Sequence, residues 1–134
     1  MPDLFVFIVT GWRGAKAHLH ADLIAEELDP IRVAHGVNVL MRHGKCPYGG
    51  VDLIADGIAR GWGWQVEEFA PEIRDGRVLG SPRNREMCAA EPRAQLVKAF
   101  PGPGSTGTWN CLNWARRYDI RFEGRPLQTG GRRG

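Results

Sequence analysis

The sequence predicts one α/β domain with a mostly parallel sheet and helices on both of its faces. Apolar runs of strand length alternate with amphipathic helical segments along the whole chain, which is the pattern of βαβ units. The first run, residues 4–9, is apolar at every position, as expected for a strand that is buried on both faces of a parallel sheet. A length of 134 residues suits a single domain with one core.

The first half of the chain contains two strand–loop–helix units. The strand at residues 4–9 ends at a Thr-Gly pair, and apolar residues then recur at helical spacing from residue 18 to residue 28. Pro30 is expected to end this first helix, because proline lacks the amide hydrogen that a helical bond requires. Residues 37–42 are the second strand candidate, and a glycine-rich loop separates them from a helix at residues 51–60.

The second half continues the alternation with shorter elements. Residues 64–69 are the third strand candidate, and the polar stretch at residues 71–82, which contains Gly76 and Gly80, is interpreted as a long loop. The remaining elements are a short helix at residues 83–90, a strand at 95–100, a helix at 109–118 and a short final strand at 119–123. Because strand–helix–strand crossovers are right-handed, the helices are expected to cover both faces of the sheet.

Composition and charge narrow the class of protein. The apolar run at the start is too short for a membrane span and no basic segment precedes it, so we expect neither a membrane helix nor a signal peptide. The cysteines form no paired spacing, which indicates free thiols in a reducing compartment and a cytoplasmic location.

The net charge is +3, but acidic and basic residues are mixed, so nucleic-acid binding is not predicted. Residues 126–134, with Arg132 and Arg133, are interpreted as a flexible basic tail on a domain of residues 1–125.

Four glycine-rich junctions follow predicted strands. In a parallel sheet these strand-to-helix loops emerge at one edge, so we expect them to form one crevice for a ligand. At the first junction, Gly11 permits a tight turn and Arg13 can pair with an anion through two hydrogen bonds. Trp12 is a candidate to stack on a base, as is Trp109 near the last junction. An ordinary connecting turn would also explain Gly11 and Arg13.

The second and third junctions add backbone and charged groups. Gly44 and Gly50 bring the chain close to whatever occupies the crevice, and Asp52 can accept hydrogen bonds from a ribose or simply cap its helix. Arg83 and Asn84 stand in the first turn of a predicted helix, where a positive charge opposes the helix dipole. An anion beside them would relieve this conflict, so both are ligand candidates, although their side chains could also extend into water.

The fourth junction, residues 100–108, is the strongest local signal. Its glycines match the G-x-G-x-x-G pattern of dinucleotide-binding loops, but too little chain follows it for the second half of a dinucleotide-binding fold. Its hydroxyl side chains supply donors and a helix N-cap that suit a phosphate. We therefore predict a phosphate cradle formed by Gly102, Gly104, Ser105, Thr106, Gly107 and Thr108.

The motifs at the four junctions resemble, in the same order, those of the SLOG superfamily, and most closely its YspA/YpsA-related branch. They are Val9-Thr10-Gly11-x-Arg13, His43-Gly44 with Gly50-x-Asp52-x-x-Ala55, Gly80-x-Pro82-Arg83-Asn84-x-x-Met87, and Phe100-Pro101-Gly102-x-Gly104 with Gly107-Thr108. The superfamily also includes the "lonely guy" phosphoribohydrolases and the DNA-processing protein DprA. The resemblance covers residues 4–122 and implies a Rossmann-like sheet and a nucleotide or nucleotide-derived ligand.

One departure from the family pattern bears on chemistry. The phosphoribohydrolases carry a glutamate shortly after the Gly-Thr of the last loop, where it helps to cleave the N-glycosidic bond, and the matching position here is Asn110. An asparagine cannot act as a carboxylate base or stabilise an oxocarbenium charge comparably. We therefore expect a module that senses or sequesters a nucleotide, nucleotide-sugar or ADP-ribose-like ligand.

Two alternatives remain open at this point. One is hydrolysis of a nucleoside monophosphate, with Arg83 on the phosphate and Asp52 or Glu86 in place of the missing carboxylate. The other is single-stranded DNA binding of the DprA kind, which predicts a steep dependence on salt. The histidines and cysteines lack the CxxC and HExxH spacings, so no metal and no cofactor are predicted. Apolar helix faces in a domain of this size make a homodimer or higher homo-oligomer plausible.

Overall fold

The computed structural model describes residues 3–130 and contains a five-stranded sheet, four helices and a separate two-stranded hairpin. In chain order the elements are β1 (Phe5–Gly11), α1 (Ala17–His35), β2 (Val39–His43), α2 (Val51–Gly61), β3 (Gln65–Glu68), β4 (Glu72–Arg74), β5 (Arg77–Leu79), α3 (Gly80–Ala89), β6 (Leu96–Phe100), α4 (Thr106–Arg117) and β7 (Arg121–Gly124).

The main sheet has the strand order β3-β2-β1-β6-β7, and every neighbouring pair is parallel. The predicted α/β, Rossmann-like fold is therefore confirmed. The chain builds the sheet outwards from β1 to β3 and then returns to the other side of β1 with β6. Between β1 and β6 lies the topological switch point, where ligands of open parallel sheets usually bind.

Two separate apolar layers hold the helices on the sheet. Phe7 and Val9 of β1 face a core formed with α1, which contributes Leu23 and Ile24, and with α2. The alternate residues of β1 face a second core, formed with α3 and α4. Because successive strand residues point to opposite faces, a strand covered on both sides has to be apolar throughout. This two-sided burial is the reason for the continuous apolar run at the start of the sequence.

Helix α1 does not end before Pro30, as the sequence suggested, but continues for five more residues to His35. Leu28 and Ile31 are both buried and extend the apolar stripe of the helix past the proline. Pro30 itself is exposed, so its ring lies on the solvent side of the helix. Burial of Ile31 against the sheet thus outweighs the loss of one helical hydrogen bond.

The segment at residues 71–82 is also different from the long loop that the sequence suggested. Strands β4 and β5 pair as an antiparallel hairpin, and α3 begins directly after it at Gly80. Asp75 and Gly76 form the hairpin turn with φ angles of 52° and 74°. Positive φ at both central residues is the geometry of the type I′ turn, for which Asp-Gly is a preferred sequence.

The described part of the predicted tail, residues 126–130, contacts the domain. Leu127 is buried in the core beneath α1 and α2, and its N–H donates to the carbonyl of Pro101 at 2.7 Å. The carbonyl of Gln128 accepts a hydrogen bond from His20 Nε2 at 2.7 Å, while His20 Nδ1 accepts one from the Lys16 N–H. Arg132 and Arg133 lie outside the described residues. Within residues 3–130, none of the helices combines the length and apolarity needed to cross a membrane.

Candidate functional site

A cleft of about 740 Å³ lies at the carboxyl ends of β1 and β6, which is the switch point of the sheet. The loops after β1, β2 and β6 and the starts of α3 and α4 form its walls. Its volume falls within the range of roughly 300–1,000 Å³ that is usual for small-molecule sites. Ten predicted site residues line the cleft: Gly11, Trp12, Arg13, Asp52, Arg83, Gly104, Ser105, Thr106, Gly107 and Thr108.

Three of the predicted glycines have structural roles behind the lining. A Cβ on Gly44 would collide with the guanidinium of Arg83, and a Cβ on Gly102 would collide with the ring of Trp12. A Cβ on Gly50 would lie 2.5 Å from the backbone of the loop after β1. These glycines allow neighbouring loops to pack closely, so they shape the cleft without lining it.

The first turn of α4 has backbone donors without acceptors. Ser105, at the N-cap, makes no side-chain hydrogen bond to the helix, because its hydroxyl accepts one from the Gly102 N–H at 2.8 Å. Within residues 3–130, the N–H groups of Gly107 and Thr108 have no hydrogen-bond acceptor. Both residues line the cleft. The positive end of the helix dipole is therefore uncapped and faces the cleft.

The side chain of Thr108 adds a third unpaired donor. Thr108 is only 2% exposed, and its Oγ1 is buried with no hydrogen-bond partner within the described chain. A buried hydroxyl that is left unpaired costs about 1–3 kcal/mol. A deficit of this kind in a folded protein needs an explanation, and a ligand in the cleft supplies one.

The glycines of the α4 loop differ in what they do. Gly104 has a φ of 71°, which favours glycine, and Gly102 is covered by Trp12. Gly107 has neither constraint, because a Cβ there would meet no atom within 4 Å. Glycine in a helix costs up to about 1 kcal/mol relative to alanine. Packing thus gives no reason for glycine at this position, whereas close approach of a ligand to the backbone would give one.

Two arginines line the cleft, and they differ in their hydrogen bonds. Arg83 donates to the carbonyl of Gly44 and, at 2.8 Å, to Asn84 Oδ1, so it ties the start of α3 to the loop after β2. The guanidinium of Arg13 makes no hydrogen bond or ion pair with the described residues and lies 4.9 Å from the ring centre of Tyr48. Within residues 3–130, Arg13 is therefore a cleft cation with every guanidinium donor free for an anion.

Asp52 is the one carboxylate among the described residues that line the cleft. It is buried and accepts a hydrogen bond from the Cys46 N–H at 3.2 Å. Burial raises the pKa of Asp52 above its usual value, although neighbouring His43, the Arg83 guanidinium and the backbone amides act in the opposite direction. The role visible in the structure is to hold the loop after β2 in place.

Asn110, which the sequence resemblance matches to the glutamate of the phosphoribohydrolases, is part of an amide network. Asn110 Oδ1 accepts a hydrogen bond from Asn84 Nδ2 at 3.1 Å, and Asn110 Nδ2 donates to Ser81 Oγ at 3.1 Å. Asn110 and Ser81 line the cleft, whereas Asn84 lies behind them. Glu86 is exposed on α3 and does not line the cleft. The network therefore presents hydrogen-bonding groups but no carboxylate.

His43, Asp56 and Glu68 bring three metal-binding side chains together, with ligand atoms within 4.8 Å of one another. The Lys45 N–H donates to His43 Nδ1 at 2.9 Å, so the ring proton lies on Nε2 and points to Asp56 at 2.7 Å. Arg60 pairs with both carboxylates. The cluster is thus an ion-pair network in which the histidine nitrogen that faces the carboxylates already carries a proton.

Several lining residues were not indicated by the sequence reasoning, and they include Tyr48, Val78 and Ser81. Comparison with family models, with curated proteins and with solved structures found no match to this chain.

Proposed function

We propose that this chain is a binding module that holds the phosphate of a nucleotide or nucleotide derivative against the N-terminus of α4. The observation that carries the proposal is the set of unpaired donors in one helical turn, formed by the N–H groups of Gly107 and Thr108 and the buried hydroxyl of Thr108. A phosphate offers several oxygen acceptors and can satisfy all of these donors together.

Charge supports a phosphate in this position. The positive end of the α4 dipole and the free guanidinium of Arg13 share one cleft, and Asp52, the one carboxylate among the described lining residues, is only 7% exposed. Arginine can bind two phosphate oxygens through its planar fork. The absence of a side chain at Gly107 leaves room for the phosphate to approach the backbone.

The chemistry of the cleft supports binding rather than cleavage. Hydrolysis of an N-glycosidic bond needs a carboxylate that can reach the reacting sugar. Asn110 replaces the family glutamate and is held by Asn84 and Ser81, while the carboxylate of Asp52 is buried and bonded to a backbone N–H. Release of a free base from a bound nucleotide would contradict this binding role.

The proposal includes membership of the SLOG superfamily and a cytoplasmic location. The four motif loops all contribute to the cleft or to its support, which agrees with the first. Three free cysteines agree with the second. Self-association remains an expectation from the sequence.

Replacement of Thr108 by valine tests the cradle. Thr108→Val removes the unpaired hydroxyl and keeps the shape of the side chain. We expect affinity for inorganic phosphate and for adenosine monophosphate, measured by titration calorimetry, to fall about 10- to 150-fold, the equivalent of one hydrogen bond to a charged group. The melting temperature should be unchanged or higher, because a buried unpaired group is lost. Thr129→Val, an exposed position outside the cleft, is the matched control.

In a second variant, Gly107→Ala, we expect phosphate binding to weaken without a loss of stability. The added methyl group should block the approach to the α4 backbone, while the helix becomes at least as stable. Equal affinities of the wild type and both variants would show that the first turn of α4 does not bind the phosphate.

Chromatography after incubation with adenosine monophosphate is expected to show no free adenine. Adenine release with turnover that is lost in Arg83→Ala would contradict a pure binding role.

A further inference from the structure

We propose that Tyr48 and Arg13 form a flat platform on which the heteroaromatic ring of the ligand stacks, an inference that rests on the proposed function. Tyr48 lines the cleft and is 62% exposed, and the guanidinium of Arg13 lies 4.9 Å from its ring centre. An exposed tyrosine with an arginine beside its ring presents two planar groups at the edge of a polar site. The chemical class that fits both this platform and the α4 cradle is a nucleoside phosphate rather than a plain sugar phosphate.

Hydrogen bonds fix the backbone that carries the platform. The loop that carries Tyr48 is closed by a hydrogen bond from the Gly49 N–H to the Cys46 carbonyl at 3.1 Å. The Cys46 N–H is in turn fixed by the carboxylate of Asp52. A preformed platform lowers the entropy that is lost when a ring stacks on it.

The loops of Tyr48 and Arg13 are also joined to each other. Gly50, with a φ of 79°, approaches so closely that a Cβ there would lie 2.5 Å from the Cα of Arg13. The next N–H, that of Val51, donates to the carbonyl of Trp12 at 3.2 Å. This backbone packing brings the two loops together and places the exposed side chains of Tyr48 and Arg13 within reach of each other.

Arg13 can serve the ring and the phosphate together. The face of a guanidinium stacks on aromatic rings, while its N–H donors point outwards in the plane of the group. In Arg13 these donors have no partner within the described chain, so they can bind a phosphate or ribose oxygen while the guanidinium stays beside the Tyr48 ring.

The two tryptophans that the sequence suggested for stacking are less accessible to a ligand in the cleft than Tyr48 is. Trp12 lines the cleft, but its ring covers Gly14 and Gly102 and meets His20 edge-on at a centroid distance of 5.7 Å. Trp109 is exposed but does not line the cleft. Tyr48 is therefore the exposed aromatic side chain in the cleft walls of the described chain.

The test compares a ligand that has a base with one that lacks it. Affinities for adenosine monophosphate and for ribose phosphate are measured by titration calorimetry on the wild type, Tyr48→Phe and Tyr48→Leu. We expect the wild type to prefer adenosine monophosphate and Tyr48→Phe to retain this preference. Tyr48→Leu should bind adenosine monophosphate about 5- to 100-fold more weakly, with ribose phosphate unchanged, because base stacking is lost. Trp109→Leu is the control for loss of an exposed aromatic group outside the cleft.

The outcomes separate the platform from the cradle. If Thr108→Val weakens both ligands but Tyr48→Leu affects neither, the platform is wrong and the phosphate cradle stands. An equal loss of both ligands in Tyr48→Leu would also contradict stacking of a base, since ribose phosphate has none. If the wild type binds neither ligand, the proposed function fails and the platform fails with it.

Discussion

At the residue scale, Asp52 and Asp56 occupy successive turns of α2 but differ in their titration. Burial raises the pKa of Asp52, and neighbouring His43 and the Arg83 guanidinium only partly offset this effect. For Asp56 burial also acts to raise the pKa, but hydrogen bonds from Arg60 and His43 outweigh it, so the net pKa is lowered. The two carboxylates should therefore affect stability with opposite dependence on pH.

Asp52→Asn is expected to stabilise the fold at neutral pH. Because the pKa of Asp52 is raised in the folded state, the folded protein holds a proton at pH values just above 3.8 that the unfolded chain has released. Stability therefore falls as the pH rises through this window and remains lower above it. An asparagine can still accept the Cys46 N–H bond but carries no buried charge. Urea unfolding between pH about 4 and about 8 measures the difference.

Asp56→Asn is the matched control on the same helix. The contribution of Asp56 is present above the unfolded pKa of 3.8 and is lost as the pH falls through the lowered folded value. This variant should therefore be less stable than the wild type at neutral pH. An Asp52→Asn protein that is less stable at neutral pH and keeps the wild-type decline would contradict the effect of burial described above.

The sequence indicated many cleft residues because the strand-to-helix loops of a parallel sheet must converge. It could not separate glycines beside the cleft from glycines that permit packing. Gly102 and Gly107 belong to one motif, yet only Gly102 is covered by a side chain, that of Trp12, from a distant part of the sequence. Tyr48 was missed as a candidate because a single aromatic residue in a loop produces no periodic pattern.

At the element scale, the continuation of α1 through Pro30 shows the balance between local preference and burial. Proline inside a helix costs about 3 kcal/mol, and here burial of Ile31 after it compensates. Pro30→Ala should restore a helical N–H at an exposed position. We expect the free energy of unfolding in urea to rise by about 1–2 kcal/mol after allowance for the more flexible unfolded chain.

A matched control for this change is Val33→Ala, which is exposed on the same helix and alters helix propensity by only a few tenths of a kcal/mol. A Pro30→Ala protein less stable than the wild type would contradict the cost assigned to Pro30 in this helix. The β4–β5 hairpin is a different case. Its Asp75-Gly76 turn was visible in the sequence, but three-residue strands that are largely exposed give too short an apolar pattern to predict.

At the scale of the whole molecule, the segment after β7 connects the end of β6 to helix α1. The Arg125 N–H donates to the carbonyl of Ala99, Leu127 enters the core beside α1, and the Gln128 carbonyl meets His20. Leu127→Ala should reduce the free energy of unfolding by about 2–5 kcal/mol, as for other buried leucines. Gln128→Ala keeps the backbone contact and should have little effect. Similar stabilities for the two variants would mean that this segment does not support the fold.

The fold class followed from the sequence because alternating strands and helices leave few arrangements for a parallel sheet. The strand order did not, because it depends on contacts between distant parts of the chain, such as β1 with β6. This order places the α4 loop beside the loop after β1. Gly107 and Arg13, far apart in sequence, therefore line the same cleft.

The central claim is that the first turn of α4 binds a phosphate, and backbone amide chemical shifts test it most directly. Isotope-labelled protein is titrated with inorganic phosphate and then with adenosine monophosphate. We predict that the Gly107 and Thr108 amides show the largest shifts, that these saturate, and that Thr108→Val weakens them. Saturating shifts centred elsewhere on the molecule, with the Gly107 and Thr108 amides unmoved, would contradict the claim.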